Sequence, residues 1–148
     1  ITVAANFIST VTGALPVSWT TNSVGGNMAG AGATYTNGTF TVTGTGTNIS
    51  GNNDNFWYVS QPFTNAATLV ARVVSQTGTN SKALAGVMMR ESLAPGSRSV
   101  FIGLTSFSQA QWVHRTSTNG NSSTTATTSG KPAPYWMLLT RSTNEFSG

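Results

Sequence analysis

The chain contains no cysteine, one histidine and only three acidic residues among its 148 positions. Without thiols there is no disulfide framework and no thiolate-held metal, so burial of apolar surface must hold the fold. A chain of this length can do that as one domain. The acids, Asp54, Glu91 and Glu145, lie in three separate segments. Glycoside hydrolysis generally needs two carboxyl groups about 5–5.5 or 6.5–9.5 Å apart, and no strand here carries acids two or four residues apart. His114 stands beside Arg115 with no Ser–Asp arrangement near it. The expectation is therefore a non-enzyme with no catalytic residues.

Basic clusters are lacking too. The net charge of +4 arises from the shortage of acids, because the seven Lys and Arg are scattered. Nucleic-acid binding needs grouped cations to neutralise phosphates, so that partner is excluded. No apolar run approaches the roughly 20 residues of a membrane-spanning helix, and no window carries a sustained helical period with caps.

What the sequence has in abundance is Thr, Ser, Asn and Gly, together with 4 Trp, 7 Phe and 3 Tyr. These are turn formers and strand formers, and the aromatic content argues against disorder. Short strand-like runs alternate with turn signals throughout. "TYTNGTFTVTGTGT" (34–47) carries an Asn-Gly hairpin signal at Asn37–Gly38. "NFWYVSQ", "ATLVARVVSQ", "KALAGVMMRES", "RSVFIGLTS", "QAQWVHRT" and "PYWMLLTRS" follow, with a polar, low-complexity stretch at 117–134. This pattern predicts an all-β sandwich or jelly roll, with doubly apolar strands such as "SVFIGL" at its centre.

The densest charge is in "MRESLAPGSR". Alternation along a strand puts Glu91 and Arg90 on opposite faces. A type II turn at Pro95–Gly96 would set Glu91 opposite Val100 and Leu93 opposite Arg98, making Glu91 and Arg98 diagonal neighbours. A structural Glu91–Arg98 ion pair is expected. "GNNDN" (51–55) offers a single carboxylate, Asp54, as a weak calcium ligand; Asx residues favouring turns account for it equally. The remaining candidates for binding are aromatic and amide side chains able to meet a sugar: Trp57, Tyr58, Gln111 and Trp112.

Three segments, "WTTNSVGGNMAGAGATYTNGTFTVTGTGTNISGNNDNFWYVSQPF", "LVARVVSQTGTNSKALAGVMMRESLAPGSRSVFIGLT" and "PYWMLLTRSTNEFSG", resemble a bacterial concanavalin A-like lectin/glucanase-type module. The resemblance rests on the "AGVM-RESL" and "PYW-L-R--N-F-G" patterns and spans about residues 15–148. It implies a concanavalin A-like jelly-roll sandwich of two antiparallel sheets, appended to secreted or cell-surface proteins in an accessory role. It transfers no catalytic residue. In similar modules the chain continues beyond "F-G" into further strands, so the C-terminal strands are expected to be missing here. Residues 1–14 are expected to form an N-terminal extension or linker strand.

Together these readings predict a non-catalytic extracellular or cell-surface module that recognises carbohydrate or a surface partner. The alternative is a structural subunit of an extracellular filament or surface layer, self-associating through open sheet edges. In that case residues 1–11 would insert into a neighbour's sheet. A glycoside hydrolase ranks third.

Overall fold

A computed structural model of the chain describes residues 2–4, 13–78, 80–81, 83–143 and 145–148. Among these residues the fold is all-β, with twelve strands in three antiparallel sheets and no helix. The strands are β1 (Thr2–Ala4), β2 (Thr20–Val24), β3 (Gly32–Thr36), β4 (Thr39–Thr43), β5 (Phe56–Ser60) and β6 (Ala67–Ser75). They continue as β7 (Leu84–Arg90), β8 (Ser99–Thr105), β9 (Ala110–Arg115), β10 (Ser123–Thr128), β11 (Tyr135–Arg141) and β12 (Phe146–Ser147). One sheet has the order β12-β11-β6-β1-β4-β3, the second β10-β9-β8-β7, and β2 pairs with β5 in a separate ribbon.

The two larger sheets pack as a sandwich because their strands alternate. Ala71 and Val73 of β6 and Met137 and Leu139 of β11 meet Ala85, Val87 and Met89 of β7 and Val100 and Leu104 of β8. The other face of the four-stranded sheet is apolar as well. There Met88, Phe101 and Val113 lie beneath Phe56, Tyr58 and Ile49. β8 is thus covered on both sides, which is why "SVFIGL" is apolar at consecutive positions. A third cluster joins Tyr35 and Phe40, ring centroids 4.8 Å apart, to Trp19, Val42 and Val59. The β2–β5 ribbon therefore bridges both sheets.

Local chemistry explains the hairpins. Thr36 pairs with Thr39, leaving Asn37 and Gly38 as a two-residue loop with φ of 49° and 82°. Both values lie in the left-handed region that a type I′ turn requires. The polar stretch after residue 117 supplies β10, an edge strand exposed along all six residues. Thr, Ser and Ala need no buried face there.

Of the segment expected to be an N-terminal extension or linker strand, the backbone of Thr2–Ala4 lies inside the six-stranded sheet, Ala4 pairing with both Thr39 and Arg72. The proposed donor segment (1–11) thus pairs within its own chain over these three residues, and the rest of it (1 and 5–11) falls outside the described residues. One expectation is corrected: the Pro95–Gly96 hairpin differs in register. Arg90 pairs with Ser99, and Glu91 N–H donates to Arg98 C=O, so Glu91 faces Arg98 and not Val100. The turn closes from Ser97 N–H to Ala94 C=O, but Gly96 lacks the positive φ of a type II turn. Glycine is needed at 96 for space, since a Cβ would come within 2.1 Å of Asn119 Oδ1.

Gly86, midway along the edge strand β7, pairs with Gly103 of β8, and a Cβ at Gly86 would lie 2.1 Å from the Ile102 carbonyl oxygen. Backbone cannot move aside as a flexible side chain can. Gly86→Ala is expected to destabilise the protein by about 1–3 kcal/mol, read as a lowered urea midpoint with unchanged slope.

Candidate functional site

Asp54 organises the most connected polar site in the molecule. The "GNNDN" loop turns it inward, where it is 2% exposed, and its N–H donates to Pro95 C=O. Arg115 closes a two-pronged pair with it: Nη2 donates to Oδ1 at 2.6 Å and Nη1 to Oδ2 at 2.8 Å. Arg90 Nη1 donates to the same Oδ2 at 3.1 Å. The remaining guanidinium protons are used on main-chain oxygens. Arg115 donates to Gly51, Ser97 and Gly120, and Arg90 to Ser92 and Ala94. Arg90 also stacks over Phe56, 5.2 Å from its centroid.

These contacts tie three loops together: 49–55, the β7–β8 hairpin and the segment after β9. Burial lowers the pKa of Arg90 from its ordinary value, with the charge and hydrogen bond of Asp54 acting the other way. The calcium reading of Asp54 loses its basis here. Both carboxylate oxygens already accept from guanidinium groups, and a dication would meet two fixed positive charges. Among the described residues no three His, Cys, Asp or Glu side chains gather as a metal site.

Glu91 and Arg98 also form an ion pair, from Arg98 Nε to Oε2 at 3.0 Å and Nη2 to Oε1 at 2.7 Å. This bridge is on the surface, each side chain about half exposed. The hydrogen bond from Arg98 holds the Glu91 carboxyl below its ordinary value, and Glu91 raises Arg98. The adjacent charges Arg90 and Glu91 thus divide, one into the buried cluster and one into the exposed brace. The sequence reading missed the buried cluster; its one hint, Arg115 at the end of an apolar strand on the same face as Val113, marks a place where an unpaired cation is costly but does not name the partner.

The four sugar-contact candidates do not share a surface. Tyr58 packs on Met88, Phe101 and Val113, and its hydroxyl donates to Met88 C=O at 2.7 Å. Burial pushes its pKa up to about 12, with Arg90 pulling weakly the other way. Trp57 points to the opposite side of β5, where its Nε1 is buried and has no hydrogen-bond partner. Trp112 packs against the core between the two large sheets. Gln111, its neighbour on β9, occupies the other face by alternation.

An exposed tryptophan lies elsewhere. Trp136, 60% exposed, lies on the outer face of the six-stranded sheet with Leu138 and Val70, both about half exposed. A register line crosses that sheet from Trp136 through Arg72 and the β1 backbone at Ala4 to Thr39 and Thr36. At about 4.8 Å per strand the line is roughly 19 Å long. Thr34, Thr41 and Thr43 flank it on β3 and β4, and Thr68 and Thr140 bond to each other across β6 and β11. Along β11 burial alternates, with Met137 and Leu139 buried and Trp136 and Leu138 outward.

Compared with known proteins, the chain matches no family model, no curated protein and no solved structure.

The polar cluster makes distinct stability predictions. Asp54→Asn leaves two guanidinium groups without their counter-charge and is expected to cost about 3–5 kcal/mol, measured by chemical denaturation. Glu91→Gln should cost far less. Because the folded carboxyl of Glu91 is depressed, its contribution is present above its unfolded value of about 4.5 and is lost as pH falls through the folded value. The difference between wild type and Glu91→Gln should therefore vanish on acidification.

Tyr58 has the opposite sign. Its folded pKa lies above the unfolded 10.0, so its contribution is complete below pH 10 and is lost as pH rises toward about 12. Tyr58→Phe should remove the late-titrating component of the tyrosinate absorbance. It should also lower stability by about 0.5–1.5 kcal/mol through the lost hydrogen bond.

Proposed function

We propose that the chain is a non-catalytic extracellular recognition module of concanavalin A-like, jelly-roll type that binds carbohydrate through the outer face of its six-stranded sheet. The observation that carries this reading is the exposure of Trp136 in a flat row with Arg72 and threonine hydroxyls. Indole offers an apolar face to the C–H surface of a sugar ring, while guanidinium and hydroxyl groups supply hydrogen bonds at its edge. An exposed apolar patch of this kind on a packed sheet is a common mark of binding.

Two features support the absence of catalysis. Asp54 and Glu91 are both committed to arginine, and Glu145 sits in the separate β11–β12 turn, where its C=O accepts from Ser142 N–H. The low charge with abundant Thr, Asn and Ser suits a secreted or cell-surface setting. A second reading, a structural subunit joined by strand addition, is favoured by the fully exposed edge strand β10. Light scattering across the micromolar range separates the two: a persistent monomer removes the subunit reading.

The direct test is retention on insoluble cellulose, chitin, xylan and β-glucan. Binding to one of these, reduced tenfold or more in Trp136→Ala but unchanged in Trp112→Phe, is the expected result. Retention on none, or retention insensitive to Trp136→Ala, overturns the carbohydrate reading.

A further inference from the structure

The four-stranded sheet ends at β7. Among the described residues β7 pairs only with β8. Glu91 N–H donates to Arg98 and Ser106 N–H to Ala83. In an antiparallel pair such contacts recur at every second residue, so Ala85, Val87 and Met89 direct their main-chain groups toward β8. Leu84, Gly86 and Met88 direct theirs away from it. The bond from Tyr58 to Met88 C=O comes from that outer side and agrees with this orientation.

A second edge faces the same space. β5 pairs with β2, and Asn55 spends both its N–H and C=O on Asn48. The same alternation turns the main-chain groups of Trp57 and Val59 away from β2. Trp57, Val59, Leu84, Gly86 and Met88 all line one cavity of about 340 Å3 whose rim includes exposed Thr47 and Gln61. The buried, unpartnered Trp57 Nε1 belongs to a residue of the same lining.

We infer that the cavity between β5 and β7 is a strand-accepting slot, and that its occupant is an uncharged, extended polypeptide segment adding to the β7 edge. The partial charges on that edge alternate N–H and C=O at strand spacing, and another extended backbone is the group that matches them in series. The lining is apolar, with Phe40, Val42, Val87 and Phe101 beside the edge residues, so a charged side chain would be desolvated without a partner. Side chains alternating between small apolar and hydroxyl groups fit both the cavity and its exposed rim. Trp57 Nε1 is placed to donate to a carbonyl of the incoming strand. The Tyr58–Met88 bond lies on this edge and is the contact that the strand would exchange for its own.

The test titrates 15N-labelled protein with an acetylated, amidated nonapeptide of alternating threonine and valine. Amide hydrogen exchange is read at Leu84, Gly86 and Val87. Exchange at Leu84 and Gly86 slowed tenfold or more, with a downfield indole N–H change at Trp57 and no effect from the same peptide carrying proline at alternate positions, is the expected result. Three results overturn the inference: unchanged exchange at millimolar peptide, equal effect of the proline peptide, or protection of Gly86 in the peptide-free protein equal to that of Val87. Glycan retention at Trp136 reads a different face, so either proposal can fail without the other.

Discussion

The buried contact between Asp54 and Arg115 is the constraint on which one end of the molecule depends. The Arg115 side chain is fully buried, and its guanidinium satisfies carbonyl oxygens from three separate loops while pairing with the carboxylate. A loop brought indoors leaves main-chain oxygens without water, and each needs a donor. Guanidinium, with five N–H donors in a rigid plane, can serve several at once. The carboxylate is then required in turn, since a buried cation without it would be unstable. Arg90 joins on the same oxygen and carries the constraint into β7.

This explains how so few charges suffice. Asp54, Arg90 and Arg115 account for three of the ten charged residues and spend them where the chain leaves regular pairing. Within the sheets the strands pair most of their own backbone, and many of their outward positions are Thr or Ser, which hydrate without charge. The exposed Glu91–Arg98 bridge closes the mouth of the same hairpin, yet water screens it, so it fixes geometry more than stability. Adjacent arginine and glutamate thus serve opposite environments because a strand sends neighbours to opposite faces.

Much of the fold was legible because it is local. The continuous apolar run "SVFIGL" located a strand covered on both faces, and Asn37–Gly38 fixed a hairpin through its demand for positive φ. The Glu91–Arg98 contact was legible for the same reason: both residues flank one turn, and an error of two residues in register leaves them on one face. The Asp54 cluster was not, because its partners stand 36 and 61 residues away, and no local rule pairs them. Nor could sequence tell whether Trp57, Trp112 or Trp136 was the outward indole. Each sits in an alternating run, and only the packing of one sheet on another decides which face is inside.

The same argument separates the molecule's two unspent surfaces. On the six-stranded sheet the backbone is paired from β12 to β3, so whatever that face recognises must be read by side chains, with Trp136 the largest of them. At β7 the side chains are spent in two cores, and among the described residues no second strand pairs with its outer backbone edge. A side-chain face selects by shape and chemistry, and a backbone edge selects by extension and spacing. Side-chain readout and backbone readout therefore call for partners of different chemistry.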